Sequence, residues 1–371
     1  MKLFKKLLAM GLCAALVLSM VGCHKKNETA LTIDGVKITS ALYLSALFEC
    51  DTEARTKVDE SKKSSSSSSS AAATSSETDY LAEKIDGQDY SDYVKAQALQ
   101  RCKEYAFYQK MIDGGKLKLT DEEISQANST ADYYWSYYSS YYEPNGVSKE
   151  TYKKALLYSY YSNAYFKSIY GAGGEKEVDG ATISKTLDEK YVLADVLTKT
   201  YEDGATDSTK AALKKTFEGY VTRLKKGEAF KKIYEEVNGA VTADASEGTE
   251  KPQDSLAKTL GASDTSNASE DFDTVKAMKL GDVKLVENTS GLTIYVRKDI
   301  LADKYYLNTM TDSVLYLLKQ EEFEKTVKEK TANLKVEENG FAMGQLKVKN
   351  LEYPSQQQGT TDAAATTTTE Q

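Results

Sequence analysis

The sequence predicts an α+β fold, mainly helical, with a smaller central region in which strands and helices mix. Three observations carry that prediction. Long stretches between Ser91 and Tyr170 have helical spacing and are separated by glycine and proline signals. The run Tyr191–Leu197 (YVLADVL) is rich in strand-forming residues and opens a region of short strands. A long amphipathic stretch from about Lys304 to Lys330 then returns the chain to helix. With 371 residues and 40% hydrophobic content, there is material for two or three domains, each with a core.

Residues 1–22 read as an address. Lys2, Lys5 and Lys6 precede an apolar run from Leu7 to Val21 that is short for a membrane span, the pattern of a signal peptide. Met20-Val21-Gly22-Cys23 resembles a bacterial lipobox, which implies that Cys23 is lipidated and becomes the new N-terminus. Removing 1–22 takes away three lysines and leaves 45 basic against 56 acidic side chains, a net charge of −11. That balance repels anionic surfaces, so the lipid is the expected attachment to the membrane.

Leu31–Ile38 (LTIDGVKI) reads as a small hairpin turning at Asp34-Gly35 and feeding a helix from Thr39. Ser61–Ser76 is a Ser/Ala tract, expected to be a disordered insertion. Three helices are predicted over Ser91–Met111, Thr120–Tyr142 and Ser148–Tyr170, and Thr120 with Glu123 forms a capping box for the second. Gly171-Ala172-Gly173-Gly174 is a linker, since no strand precedes it and no Gly-Lys-Ser/Thr follows. After the strand at Tyr191 comes a helix from about Asp207 to Lys226, with Leu213, Phe217, Tyr220, Val221 and Leu224 on one face. A helix over Phe230–Val237, an irregular stretch Gly239–Asp271 and a helical piece Phe272–Met278 follow. Strands Val283–Glu287 and Leu292–Val296 pair around Thr289-Ser290-Gly291. A strand Asn333–Val336 succeeds the long helix, and the tail from Ser355 is expected to be disordered.

Composition narrows the chemistry. The chain has one histidine (His24), four cysteines and three prolines, too few for His/Cys zinc clusters or histidine-based nucleophile pairs. No cofactor or metal is expected. The formal net charge of −8 argues against a nucleic-acid partner. Cys13 leaves with the signal and Cys23 carries the lipid, so only Cys50 and Cys102 remain unlipidated; they are read as two buried thiols, with pairing left open.

Five segments resemble the PrsA/SurA family of extracytoplasmic foldases: IDGVKIT (Ile33–Thr39), LTDEEI (Leu119–Ile124), RLKKGEAFKKI (Arg223–Ile233), KLGDVKLVENTSGLTIYVRKD (Lys279–Asp299) and TANLKVEE (Thr331–Glu338). Tyr191–Ile300 resembles a parvulin-type peptidyl-prolyl isomerase domain. The resemblance implies a helical SurA-N-like chaperone module built from both chain ends with a small α/β domain inserted. The boundaries follow: 1–22 signal peptide, 23–30 lipidated cysteine and linker, 31–180 helical module, 185–300 parvulin-like domain, 301–353 returning helix and strand, 354–371 tail. The family's two catalytic histidines align with Asp195 (LADVL) and Thr293 (GLTI), and the Gly-Gly-Asp-Leu-Gly loop has at best a remnant in Asp254-Ser255-Leu256. The scaffold carries over and the histidines do not. Asp195 and Thr293 are expected to hydrogen-bond across the sheet as a structural pair.

Tyrosine is the unusual feature. Of 27 in the chain, six lie at Tyr133, Tyr134, Tyr137, Tyr138, Tyr141 and Tyr142 around Trp135. Neighbouring residues on a helix point about 100° apart, so a single core-facing stripe cannot absorb them all. Some must be exposed, and tyrosine suits a surface that holds varied unfolded segments weakly. The resulting expectation is a lipid-anchored chaperone or foldase of a Gram-positive-type bacterium, its partners unfolded or nascent secreted polypeptides. A prolyl isomerase with a substituted site is the alternative from the enzyme class. A solute-binding lipoprotein would need two lobes of repeated strand-helix units, which the pattern lacks.

Overall fold

The computed structural model describes residues 28–66, 78–239 and 256–354. The expected signal peptide, Cys23, most of the Ser/Ala tract, Asp254, Ser255 and the tail from Ser355 lie outside the described residues. The chain divides into two compact units. Residues up to Phe166 together with those from Glu324 onward form the first, and Lys167–Phe323 the second.

The chain opens with β1 (Thr29–Ile33) and β2 (Val36–Thr39), which turn tightly through Asp34 and Gly35 at φ of 50° and 87°. Two successive left-handed residues match the twist of a two-residue hairpin, and Asp-Gly tolerates them best. Helix α1 (Ser40–Ser66) follows directly. It therefore runs into the tract expected to be disordered from Ser61. The stretch it takes in includes Lys62 and Lys63, good helix formers, and Lys62 is held by Glu83 at 2.7 Å. A second miniature hairpin, β3 (Lys84–Ile85) and β4 (Gln88–Asp89), turns at Asp86-Gly87 and feeds α2 (Tyr90–Asp113).

Helix α3 (Asp121–Tyr142) begins at the predicted capping box, with the Thr120 hydroxyl accepting from the Glu123 amide and the Glu123 carboxylate accepting from the Thr120 amide. Helix α4 (Lys149–Tyr170) comes next. The core of the first unit joins Leu31, Ile33 and Ile38 of the hairpin to Leu42 and Leu47 of α1 and to Val94, Ala98 and Tyr105 of α2. Cys50 and Cys102 are buried there as free thiols. Burial pushes the Cys50 thiol up to about 12, so it carries no thiolate at neutral pH.

In the second unit α5 (Gly180–Lys190) precedes β5 (Tyr191–Thr200), followed by α6 (Asp207–Lys225) and α7 (Phe230–Asn238). Then come β6 (Ala257–Gly261), the short α8 (Phe272–Lys276), β7 (Val283–Asn288), β8 (Gly291–Lys298) and α9 (Lys304–Ala332). The stretch expected to be irregular thus contains a strand, and α5 follows the glycine linker. The four strands form one antiparallel sheet in the order β6-β5-β8-β7. On one face Leu197, Leu292 and Ile294 pack against Phe217, Leu224 and Ile233 of α6 and α7. On the other, Val192, Ala194, Val196 and Tyr295 meet Phe272 and Val275 of α8. Ile300, Tyr306, Met310 and Val314 pack on Leu187, Tyr191 and Leu193, which places this stretch, expected to return to the helical module from residue 301, in the second unit.

After α9 the chain forms β9 (Val336–Glu338) and the one-turn α10 (Gly340–Met343). The last strand was expected over Asn333–Val336, and its position is set by its partner. Ile33 faces Val336 and Leu31 faces Glu338, so β9 completes a three-stranded antiparallel sheet in the order β2-β1-β9. The first unit is therefore closed by residues from both ends of the chain.

Candidate functional site

Asp195 and Thr293, the two residues expected from the resemblance to stand where parvulins carry histidine, lie on adjacent strands but do not meet. In the β5–β8 ladder Asp195 stands opposite Val296 and Thr293 opposite Thr198. Side chains alternate between faces along a strand, so positions offset by three residues across the ladder point to opposite sides of the sheet. The expected hydrogen bond between them does not form. Thr293 instead pairs its hydroxyl with that of Thr198 at 3.1 Å, and Asp195 receives Lys298 Nζ at 2.9 Å. Each is buried and satisfied, as a structural polar group is. Nearby, Tyr295 donates to Asp271 at 2.6 Å, and Arg297 caps α8 by donating to the carbonyls of Val275 and Lys276. Among the described residues no group of three or more His, Cys, Asp or Glu side chains is placed to hold a metal ion.

The tyrosine cluster divides by helical phase. Tyr133, Tyr134, Tyr137 and Tyr138 are exposed by 60, 41, 60 and 46%, forming two i,i+4 pairs on one face of α3. Their rings touch one another: Tyr133 and Tyr137 lie 5.1 Å apart and Tyr134 and Tyr138 6.1 Å apart, centre to centre. Tyr133 also hydrogen-bonds Tyr137, which raises its phenol pKa. Trp135 and Tyr142 turn inward, with Tyr133 and Tyr137 across the helix from them and Tyr134 and Tyr138 at the flank. Tyr142 is buried, and Trp135 is half-buried against Tyr152 and Tyr142. Tyr141 joins the two sets, 6.4 Å from both Tyr138 and Phe48. Beside this face the Asp132 carboxylate is held by Lys149 and Lys153, at 3.0 and 2.7 Å, which lowers its pKa.

Residues to which the sequence pattern assigns no binding role extend the aromatic surface inward. Phe48 of α1 packs against Tyr142 at 5.0 Å and is stacked by Tyr353 at 5.1 Å. The Tyr353 hydroxyl donates to Asp51, a fully buried carboxylate that also receives Arg55 at 2.8 Å and Tyr90 at 2.9 Å. Burial, then that hydrogen bond, pushes the Tyr353 phenol pKa upward. Asn145, in the turn between α3 and α4, donates from Nδ2 to the carbonyls of Tyr141 and Glu352, both at 2.7 Å. Its Oδ1 accepts from the Glu352 amide at 2.8 Å. In the sequence, Pro144-Asn145-Gly146 reads only as a turn, and nothing local ties it to residue 352.

No family model matches the chain, and no curated protein does. Solved structures do. The chain is similar to the foldase protein PrsA of Streptococcus pneumoniae, with 18% identity over 66% of this chain and 87% of that one and a TM-score of 0.37. It is similar to the PrsA foldase of Lactococcus lactis at 14% identity, covering 86% of this chain and 97% of that one, with a TM-score of 0.35. PrsA of Bacillus subtilis matches at 18% identity over 68% and 92%, with a TM-score of 0.34. These are structures of the family that the five quoted segments resemble, and at such identities and TM-scores they bear on none of the activity.

Proposed function

We propose that this chain is an extracytoplasmic chaperone, anchored by lipid on Cys23, that holds unfolded segments of secreted proteins on the exposed aromatic face of α3. The observation that carries this reading is the set of four tyrosines, each more than 40% exposed, side by side on one helix face. An exposed tyrosine offers a large apolar ring with a polar edge and few rotors to immobilise, which favours weak contact with many sequences over tight contact with one. None of the four belongs to the core that the helix packs, which uses Ala131, Trp135 and Tyr142.

The test is light scattering of a reduced, denatured secretory protein on dilution. The wild type is expected to suppress aggregation at near-stoichiometric ratios. Replacing Tyr133, Tyr134, Tyr137 and Tyr138 by serine is expected to abolish most of that effect while circular dichroism stays unchanged. Equal suppression by the substituted protein would refute the assignment. The same preparation is expected to give no acceleration of a proline-limited refolding reaction. The support is that Asp195 and Thr293 face opposite sides of the sheet and that His24 is the chain's one histidine.

A further inference from the structure

We infer that α10 makes a second contact with the membrane, its Phe341 ring entering the headgroup layer beside the Cys23 lipid, so that the first unit is held at two points instead of swinging on one. The inference rests on the lipid-anchor reading and adds what the folded chain itself presents to the bilayer.

Phe341 is 69% exposed, the most exposed large hydrophobic side chain among the described residues. A lone apolar residue at a surface is ordinary, and exposure alone says nothing. What sets Phe341 apart is the residue that positions it. Asn339 caps α10, its Oδ1 accepting from the Phe341 and Ala342 amides at 3.2 and 3.3 Å. Its Nδ2 donates to the Glu28 carboxylate at 2.9 Å and to the Thr29 carbonyl at 3.1 Å, and its main-chain amide donates to the Ala30 carbonyl at 2.9 Å. A single amide side chain thus joins the backbone of the exposed ring to the place where the chain enters the fold. Glu28 is fixed from a second side, its carbonyl accepting from the Ser40 amide at 2.7 Å. Ala342 is buried in the core of the first unit and holds the turn from beneath.

Glu28 stands five residues after Cys23, and five residues span at most about 17 Å. Once Cys23 is acylated, Phe341 is therefore confined close to the bilayer surface. There a phenylalanine ring buries apolar area in the headgroup boundary, and the tether supplies the high local concentration that lets one ring hold on. Charge does not drive the contact. Glu28 precedes β1 and Glu337 and Glu338 lie in β9, surroundings that repel anionic lipid. Leu81, 48% exposed in the same unit, supplies the contrast. Its neighbour Tyr80 donates to Asp59, about 28 Å along α1 from Ser40 at 1.5 Å per residue, so Leu81 is far from the point of attachment.

The test uses the acylated protein reconstituted in phosphatidylcholine vesicles whose acyl chains carry bromine near the headgroups, a short-range quencher of tryptophan. The wild type, with Trp135 alone, sets the background. Phe341→Trp is expected to lose about half of its added emission relative to plain vesicles, and Leu81→Trp none of it. Both positions are exposed, so neither change disturbs the core. Equal emission of Phe341→Trp in plain and brominated vesicles overturns the proposal. So does equal quenching of the two variants, which marks adsorption without orientation. Emission of Phe341→Trp already shifted to the blue without vesicles also overturns it, because the ring is then covered by this chain or by a second copy. Mass spectrometry separates the two readings. A Cys23 without acyl groups refutes the anchor, whereas an acylated protein with an unquenched ring at position 341 refutes this inference alone.

Discussion

Asp51 is a carboxylate with no exposure at all, and the other buried polar side chains among the described residues of its unit, Ser40, Ser45, Asn145 and Thr331, are neutral. It is tolerable because Arg55, Tyr90 and Tyr353 converge on it. Asp51→Ala leaves the Arg55 guanidinium and the Tyr353 hydroxyl without their carboxylate, while Tyr90 keeps the main-chain carbonyl of residue 51 at 3.0 Å, and we expect a loss of about 1–3 kcal/mol in urea unfolding. Thr293→Val is milder. It removes one hydroxyl from a 3.1 Å pair and should cost about 1 kcal/mol, with no change in proline-limited refolding rates. The two residues also mark what one chain of letters reveals. That aspartate and threonine stand at the two positions is legible in the sequence. Which face each replacement occupies depends on the β5–β8 register, which no local pattern encodes. Asn145 is the converse case, a residue legible only as turn chemistry until Glu352 arrives beside it from 207 positions away.

Elements followed the same rule at larger size. Helices α2, α3, α4, α6 and α9 were legible because apolar spacing and caps extend over several turns. Strand β6 (AKTLG) was not, since it is short, part polar and without alternation; its place comes from pairing with β5. The hairpin β3–β4 carried a readable signal, the second Ile-Asp-Gly ahead of a helix, and the first one, at Ile33-Asp34-Gly35, was recognised. Helices α6 and α7 are joined by an ionic clamp in which Arg223 holds Glu228 at 2.7 Å and Glu236 at 2.6 Å, with Lys232 on Glu228 at 3.0 Å. The Arg223 and Lys232 hydrogen bonds hold the Glu228 carboxyl down at about 2 from its ordinary 4.5. A depressed carboxylate adds stability above its unfolded value and loses it as pH falls through the folded one. Thermal melts should therefore fall between pH 4.5 and about 2, and Glu228→Gln should flatten that portion of the curve.

At the scale of the whole molecule, the proposed anchor sets where the aromatic face works. Two or more acyl chains at about 0.8 kcal/mol per buried methylene exceed the hold of a single chain that dissociates readily. Cys23→Ala is expected to move the protein from the membrane pellet to the soluble extracytoplasmic fraction, and a variant that still sediments with membranes would argue against lipidation. Among the described residues no helix is long and apolar enough to cross a membrane. The closure of the first unit has a further consequence for how the protein comes into being. Strand β1 finds its second neighbour in β9, and the Lys335 amide bonds Asp34 across 301 positions. A polypeptide exported with its amino end leading must keep that strand waiting, one edge unpaired, until nearly all the remainder has emerged. On the proposed reading, a chaperone for unfinished chains would for most of its own passage be an unfinished one.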